Sequence, residues 1–290
     1  MVKKTLKTIL IIGANGVSGK YLYNLIGKSE KALYFSDLND AFDNKLNKKW
    51  YKNDFSDFTK ARRVISAINP DQIYNLAGSF SNDFKTDFRN NVLVTKSIFD
   101  SVIELNLNTK ILIIGSAAEY GIIDIDNNPI KESHPLNPVS IYGLTKVFQN
   151  NLMAYYFNSK KVNVVMARTF NLLSGEVSEK LFIGRLFKQI HEYKEKKISK
   201  IIVGNLENKR DYIKIDDAVE KYKIIMDRGE PGEVYNVGSG QSVSTKELLL
   251  SILEENNLSM DDVEIRNPDN RYDVKNIFAD LNKINKLEYL

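Results

Sequence analysis

The sequence predicts an α/β fold, a doubly wound parallel sheet with a smaller C-terminal lobe. Three observations predict it. Short apolar segments alternate with longer amphipathic ones up to about Asn171. A glycine-rich turn separates the first of each kind. Beyond Asn171 the alternation breaks up around turn clusters at Gly204-Asn205, Glu230–Glu233 and Gly238-Ser239-Gly240. Alternating strands and helices make βαβ units, and right-handed crossovers wind such a chain around both faces of one sheet.

Thr8–Ile12 (TILII) reads as a buried strand, and the stretch from the following glycines to about Ile26 as a helix. Ala32–Ser36 is the second strand. Phe58–Ile68 is helical, because Phe58, Ala61, Val64, Ile65 and Ile68 fall on one face. Gln72–Leu76, Lys110–Ile114 and Asn163–Ala167 read as further strands, with helices over Asn90–Leu105 and Tyr142–Phe157 between them.

Composition narrows the chemistry. Of 290 residues, 43% are hydrophobic and 27% charged, which is the balance of a globular protein. There is no cysteine, so disulfides, thiolate metal sites and a cysteine nucleophile are excluded. His134 and His191 are the only histidines, too few for a histidine-rich metal centre and a poor basis for a Ser-His-Asp triad. A net charge of +4, spread along the chain, does not suggest a nucleic-acid partner. No apolar run reaches the roughly 18 residues that cross a bilayer. Met1-Val2-Lys3-Lys4 leads into a strand rather than a signal sequence, so the expectation is a cytoplasmic protein with no membrane partner.

The turn Gly13-Ala14-Asn15-Gly16-Val17-Ser18-Gly19 lies between the first strand and the first helix. Gly13 permits the tight turn, Gly16 lets backbone approach a pyrophosphate, and Gly19 allows close packing of helix on strand. The helix N-terminus offers N–H groups to phosphate. Asp37, at the end of the second strand, can accept hydrogen bonds from a ribose diol and repels a 2′-phosphate, which favours NAD(H) over NADP(H). A turn aspartate in the Ser36–Asp40 cluster is the alternative reading. Tyr142 and Lys146 stand four residues apart on one helix face. A lysine and a cationic nicotinamide would bring the phenol toward the neutral range, and Ser116, just past a strand end, can bind the oxygen that exchanges the proton. Alone, Tyr142 also reads as a half-buried helix tyrosine.

Glycine loop, strand-end aspartate, serine and Tyr-x-x-x-Lys, in this order, resemble the extended short-chain dehydrogenase/reductase family of nucleotide-sugar epimerases, dehydratases and reductases. The resemblance covers nearly the whole chain and implies a Rossmann unit over residues 1–171 and a substrate-binding lobe over 172–290, with about 208–238 returning to the first. It implies that Ser116, Tyr142 and Lys146 are catalytic. It places Gly13, Asn15, Gly16, Val17, Gly19, Asp37, Asp54, Phe55, Leu76, Ala77, Gly78 and Asn91 along the cofactor. Asp54-Phe55 would contact adenine, and Asn91 and Thr95 match the family's Asn-x-x-x-Thr. Arg168–Asn171 would lie at the substrate diphosphate, and Arg210-Asp211-Tyr212 with Arg271 and Asp273 would close over the nucleotide. Glu119 and Lys188 complete the implied substrate contacts. The segments Val203–Asp211 and Gly229–Asn236 resemble GDP-sugar reductases of the 4-keto-6-deoxymannose type and GDP-mannose dehydratases. The resemblance also implies a homodimer through the helices over Asn90–Leu105 and Tyr142–Phe157, with Ile98, Val102, Phe148 and Leu152 on their outer faces.

Two departures qualify the resemblance. The family's dehydratases carry a glutamate two residues after the catalytic Ser/Thr, and here that position is Ala118, preceded by Ala117. Alanine cannot move a proton, so dehydration is disfavoured. Glu119 follows, either as a local acid–base or binding group or as a loop carboxylate that bonds backbone. The chain also stops at Leu290, short of the family's Leu-Gly-Trp-x-Pro segment, which predicts a smaller lobe. The expected function is NAD(H)-dependent redox at C4 of a GDP-linked sugar, by a reductase or dehydrogenase, with a 4-epimerase as the alternative.

Overall fold

The computed structural model describes residues 7–27, 32–266 and 274–289. Strand β1 (Thr8–Ile12) leads into helix α1 (Val17–Ile26), followed by β2 (Ala32–Asp37), β3 (Trp50–Lys52) and α2 (Phe58–Ile68). Then come β4 (Gln72–Asn75), a short α3 (Phe84–Asp87), one wide helical turn at Phe88–Leu93, and α4 (Val94–Glu104). Next are β5 (Lys110–Ser116), the long α5 (Ile141–Lys160), β6 (Val164–Thr169) and β7 (Asn171–Leu173). The remainder holds α6 (Phe182–Lys194), β8 (Ile201–Val203), β9 (Lys209–Arg210), β10 (Tyr212–Lys214), α7 (Ile215–Arg228), β11 (Val234–Val237), β12 (Val243–Ser244), α8 (Thr245–Glu255), β13 (Val263–Ile265), β14 (Asn276–Ile277) and α9 (Asn282–Glu288).

Seven strands form one parallel sheet in the order β3-β2-β1-β4-β5-β6-β11. The direction of winding reverses between β1 and β4, and a crevice opens there at the strands' C-terminal ends, where such sheets bind ligands. Alternate residues of β1 go to opposite faces: Ile9 and Ile11 pack with α1, α7 and α9, whereas Leu10 and Ile12 pack with α2, α4 and α5. Both faces are covered, so the central strands are apolar throughout, as β6 shows with all six residues buried. A separate core of α6, α8, β8 and β13 fills the C-terminal lobe.

The structure departs from the sequence expectations at several points. β3 pairs with β2 through Phe35 and Trp50, whose rings stack at 6.1 Å; three residues are too few for a periodicity signal. β5 runs on to Ser116, so this residue ends the strand instead of following it, whereas Asp37 ends β2 as expected. The helix expected over Asn90–Leu105 is the wide turn plus α4. Ile98 and Val102, expected on its outer face, are 0% and 3% exposed and pack under the sheet, because α4 turns that face toward α2. Leu152 is partly buried against the same core, whereas Phe148 is exposed. Among the described residues no helix is long and apolar enough to cross a membrane, and no cluster of His, Asp and Glu could hold a metal ion.

Candidate active site

The crevice is lined first by the turn after β1. Gly13 has φ +79°, and a Cβ there would lie 2.6 Å from the backbone nitrogen of Ala77 in the segment after β4. The amides of Gly13 and Ala14 both donate to the Ser36 carbonyl, at 2.9 and 3.2 Å, which fastens the turn to the end of β2. At Gly19 a Cβ would meet the Ala14 carbonyl oxygen at 2.5 Å, so α1 packs directly on the turn. No side chain caps α1 after Gly16, and its first-turn N–H groups, with the positive end of the helix dipole, face outward. The Asn15 amide donates to Asp37 Oδ2 at 3.1 Å, and its side-chain Oδ1 is buried without a partner. A glycine cradle that any Cβ would fill, a free helix N-terminus and a carboxylate beside them fit a dinucleotide.

The second wall follows β3 and β4. Asp54 accepts from the Ser56 amide and hydroxyl and forms an ion pair with Arg89. Burial works against its charge, but these bonds win and hold its carboxyl below the usual range. The Phe55 ring is buried in the α2 core, so this residue has only main chain to offer adenine. Leu76 donates to the Ile12 carbonyl at 2.9 Å, keeping Leu76, Ala77 and Gly78 alongside the glycine turn. Asn91 is buried. Its Oδ1 accepts from the Ser79 amide at 2.9 Å, and its Nδ2 donates to Thr145 Oγ1 at 3.0 Å and to the Ser79 carbonyl at 3.1 Å.

Tyr142 and Lys146 come from the first turns of α5, whose start is capped by Ser140. Ser116 at the end of β5 lies beside the Tyr142 phenol, which brings the expected trio together. Lys146 is 4% exposed; its Nζ donates to the Ile114 carbonyl at 2.8 Å and to Gln149 Oε1 at 3.1 Å, and stands 5.8 Å from the Tyr142 ring centre. Burial pushes the ammonium down to about 8, against the pull of Glu119 and Asp87. Burial pushes the Tyr142 phenol up to about 12; the Ser116 bond opposes this, and the charges of Glu119 and Asp87 add to it. The expected pull toward neutrality came from lysine and a cationic nicotinamide together; in this structure Lys146 spends its donors on Ile114 and Gln149, and burial is the largest cause of the rise.

Several residues around the trio carried no motif. Asp87 accepts from Ser79 Oγ, from Ser81 N and Oγ, and from Asn82 N, at 2.7–2.9 Å, and so fixes the loop that sets the Phe80 ring edge-on to Tyr142 at 4.9 Å. It lies four residues before Asn91, and Gln149 lies three after Lys146, so helix spacing from known members of the site would have found both. Glu119 and Arg168 differ from expectation. Glu119 is 0% exposed and Arg168 1%. Arg168 Nε donates to Glu119 Oε2 at 2.8 Å, and the guanidinium lies over the Tyr120 ring. A buried guanidinium already paired cannot meet a substrate diphosphate, and Glu119 faces no open space for a sugar.

The other implied substrate residues are spread over the lobe. Asn171 is exposed, with its Nδ2 donating to the Asp211 carbonyl at 3.0 Å. Lys188 is on the outer face of α6 and pairs with Glu179 at 2.6 Å. Arg210 is half-buried on β9, where Nη1 donates to the Lys209 carbonyl at 2.9 Å. Beside it, Asp211 is buried and takes the amides of Ser239, Gly240 and Ala279. Arg271 and Asp273 lie outside the described residues.

A parallel sheet with a phosphate-type glycine turn at its switch point and a Ser-Tyr-Lys trio beside it defines the class of extended short-chain dehydrogenases/reductases. Within that class, residues 10–289 match the family described as GDP-mannose 4,6 dehydratase, and the chain belongs to this NAD-dependent epimerase/dehydratase family. It is 27% identical over 273 residues to the dTDP-D-glucose 4,6-dehydratase of Dictyostelium discoideum, covering 86% of this chain and 62% of that one. It is also 27% identical over 190 residues to the GDP-6-deoxy-D-mannose reductase of Pseudomonas aeruginosa, covering 62% and 61%. The chain therefore spans less than two thirds of the length of these two relatives.

Three solved structures share the fold. One is the UDP-glucose 4-epimerase of Thermotoga maritima with UDP-glucose (TM-score 0.85, 19% identity, 97% of this chain and 92% of that one). The second is the dTDP-glucose 4,6-dehydratase of Bacillus anthracis in complex with NAD (0.83, 18%, 98% and 91%). The third is RMD of Pseudomonas aeruginosa complexed with NADPH (0.82, 20%, 97% and 91%).

Proposed function

We propose that this chain is an NAD(H)-dependent oxidoreductase acting at C4 of a GDP-linked sugar, as a 4-keto-sugar reductase or, in reverse, a 4-dehydrogenase. The observation that carries the reading is the Ser116–Tyr142–Lys146 trio in a site without the carboxylate that dehydration needs. Ala117 and Ala118 form the turn after Ser116, and the next carboxylate, Glu119, is buried and committed to Arg168 and the Ser116 amide. When bound, the nicotinamide supplies or takes the hydride. Tyr142 exchanges the proton with the C4 oxygen, Ser116 holds that oxygen, and Lys146 orients the nicotinamide ribose. The adenosine half would follow the glycine turn, with Asp37 on its ribose diol in preference to a 2′-phosphate. Residues 1–171 would carry the cofactor and 172–290 the sugar nucleotide, with 208–238 returning to the sheet. On the lobe, Asn171, Lys188, Arg210 and Arg271 would meet the nucleotide.

The test is to incubate the protein with NADH or NADPH and GDP-, UDP-, CDP- and dTDP-linked sugars and their 4-keto-6-deoxy forms. Stoichiometric oxidation of NADH with a GDP-linked 4-keto sugar supports the reading. Release of water from a GDP-hexose at an ordinary enzymatic rate refutes it. The same trio serves a 4-epimerase, which would turn over with no net cofactor consumed, and the stoichiometry separates the two.

A further inference from the structure

Behind Lys146 a chain of polar side chains runs from α5 to α4 and β4. Gln149, Thr95 and Asn75 are all buried. The Thr95 hydroxyl donates to the Asn91 carbonyl at 2.9 Å. Its single proton is spent there, so toward its other neighbours it can only accept. It accepts from Asn75 Nδ2 at 3.1 Å and from Gln149 Nε2 at 2.8 Å, which fills both lone pairs. Gln149 must therefore turn its NH₂ group to Thr95 and its oxygen to Lys146, whose Nζ donates to Oε1 at 3.1 Å. The flipped amide would set oxygen against oxygen and NH₂ against ammonium. An ammonium has three donors. The Ile114 carbonyl takes one and Gln149 a second, which leaves one for a ligand. The ammonium also stands at the cofactor wall, since a Cβ on Gly78 would lie 3.5 Å from Nζ.

We propose that Gln149, oriented by Thr95, is a positioning residue for Lys146: its amide oxygen aims the ammonium so that the remaining N–H serves the nicotinamide ribose. The inference rests on the reading of Lys146 as the group that holds that ribose, and it adds the side chains that aim it. Lysine alone is a point charge on a flexible four-carbon stem, so its direction has to come from fixed acceptors. The Ile114 carbonyl is main chain, which any residue at that position would offer. The Gln149 acceptor depends on the side chain, and its orientation depends on a hydroxyl at position 95, 54 residues away in sequence. Four elements meet in the arrangement: β4 through Asn75, α4 through Thr95, β5 through Ile114 and α5 through Lys146 and Gln149.

The experiment is calorimetric titration with NADH and, separately, with ADP, which carries the adenosine and diphosphate but no nicotinamide ribose. Gln149→Leu should weaken NADH binding by about 3- to 10-fold, the scale of one hydrogen bond, and leave ADP binding at its wild-type value. Thr95→Val, which removes the hydroxyl that orients the amide, should move NADH affinity the same way. Thr95→Ser, which restores the hydroxyl, should bind NADH as the wild type does. If Gln149→Leu fails to fold, the Thr95 pair carries the same comparison. A folded Gln149→Leu that binds NADH like the wild type overturns the proposal. Equal weakening of NADH and ADP also overturns it, because the residue would then act through general packing. Neither titration uses a sugar, so the result stands apart from whether a GDP-linked 4-keto sugar consumes NADH.

Discussion

Replacing the Tyr142 phenol with Phe leaves the ring in its T-shaped contact with Phe80 and removes only the oxygen beside Ser116. Tyr142→Phe should therefore lower kcat by roughly 10²–10⁴-fold with NADH affinity unchanged, and Ser116→Ala should lower it less, since it removes an orienting bond and no proton carrier. Equal losses in kcat and in NADH affinity would mean the hydroxyl positions cofactor instead. Lys146 gives a prediction in stability. Its folded value of about 8 lies below the ordinary 10.5, so the unfolded chain binds the extra proton between these limits and stability rises with pH across that window. The penalty is full below pH 8, about 3 kcal/mol as an upper figure from the shift, and gone above 10.5. Lys146→Met should thus raise Tm relative to wild type at pH 7 and lose that advantage near pH 10. A difference in Tm independent of pH would show that the ammonium is not the source.

The elements were largely legible in the sequence, and the reason lies in burial. Thr8–Ile12 and Phe58–Ile68 match the observed β1 and α2 residue for residue, because one is a strand with four buried apolar residues between two helical layers and the other carries a single apolar stripe. The glycine turn was legible because its backbone demands it. Gly13→Ala would place a Cβ 2.6 Å from the Ala77 nitrogen at φ +79°, against backbone that has no rotamer to move. It should weaken NADH binding at least tenfold and cost about 1–3 kcal/mol. Trp50, the only tryptophan, lies on the strand beside β2 and is the natural donor for energy transfer to bound NADH. Unchanged transfer in Gly13→Ala would place the dinucleotide elsewhere. What motif reading could not give was the use of Arg168 and Glu119. Their separation of 49 residues hides a contact made only when β5 and β6 pair, and an arginine in a sequence reads as a ligand for anions until its burial is known.

At the scale of the whole molecule, α5 has its polarity inverted. Its buried face carries Thr145, Lys146 and Gln149, because the site occupies that face. Its outer face carries Ile141, Leu144, Phe148 and Tyr155, all at least 36% exposed and spaced to lie within one narrow stripe. The stripe continues off the helix: the Phe148 ring meets Phe88 at 6.1 Å, and Phe88 stacks with the exposed Phe84 at 5.5 Å. Contiguous apolar surface of this kind marks an association face, and a two-fold contact would bury the same stripe on two copies. Of the four residues expected at a dimer contact, Ile98 and Val102 are core and Leu152 is partly buried, which leaves Phe148 and the outer face of α5. Light scattering on the eluted protein should give twice the chain mass at micromolar concentration. Phe148→Glu, which puts a charge in the middle of the stripe, should shift the population to monomers while NADH binding, on the opposite face of the helix, persists. A wild-type monomer would sink the dimer, and a Phe148→Glu protein that remains dimeric would move the contact away from α5.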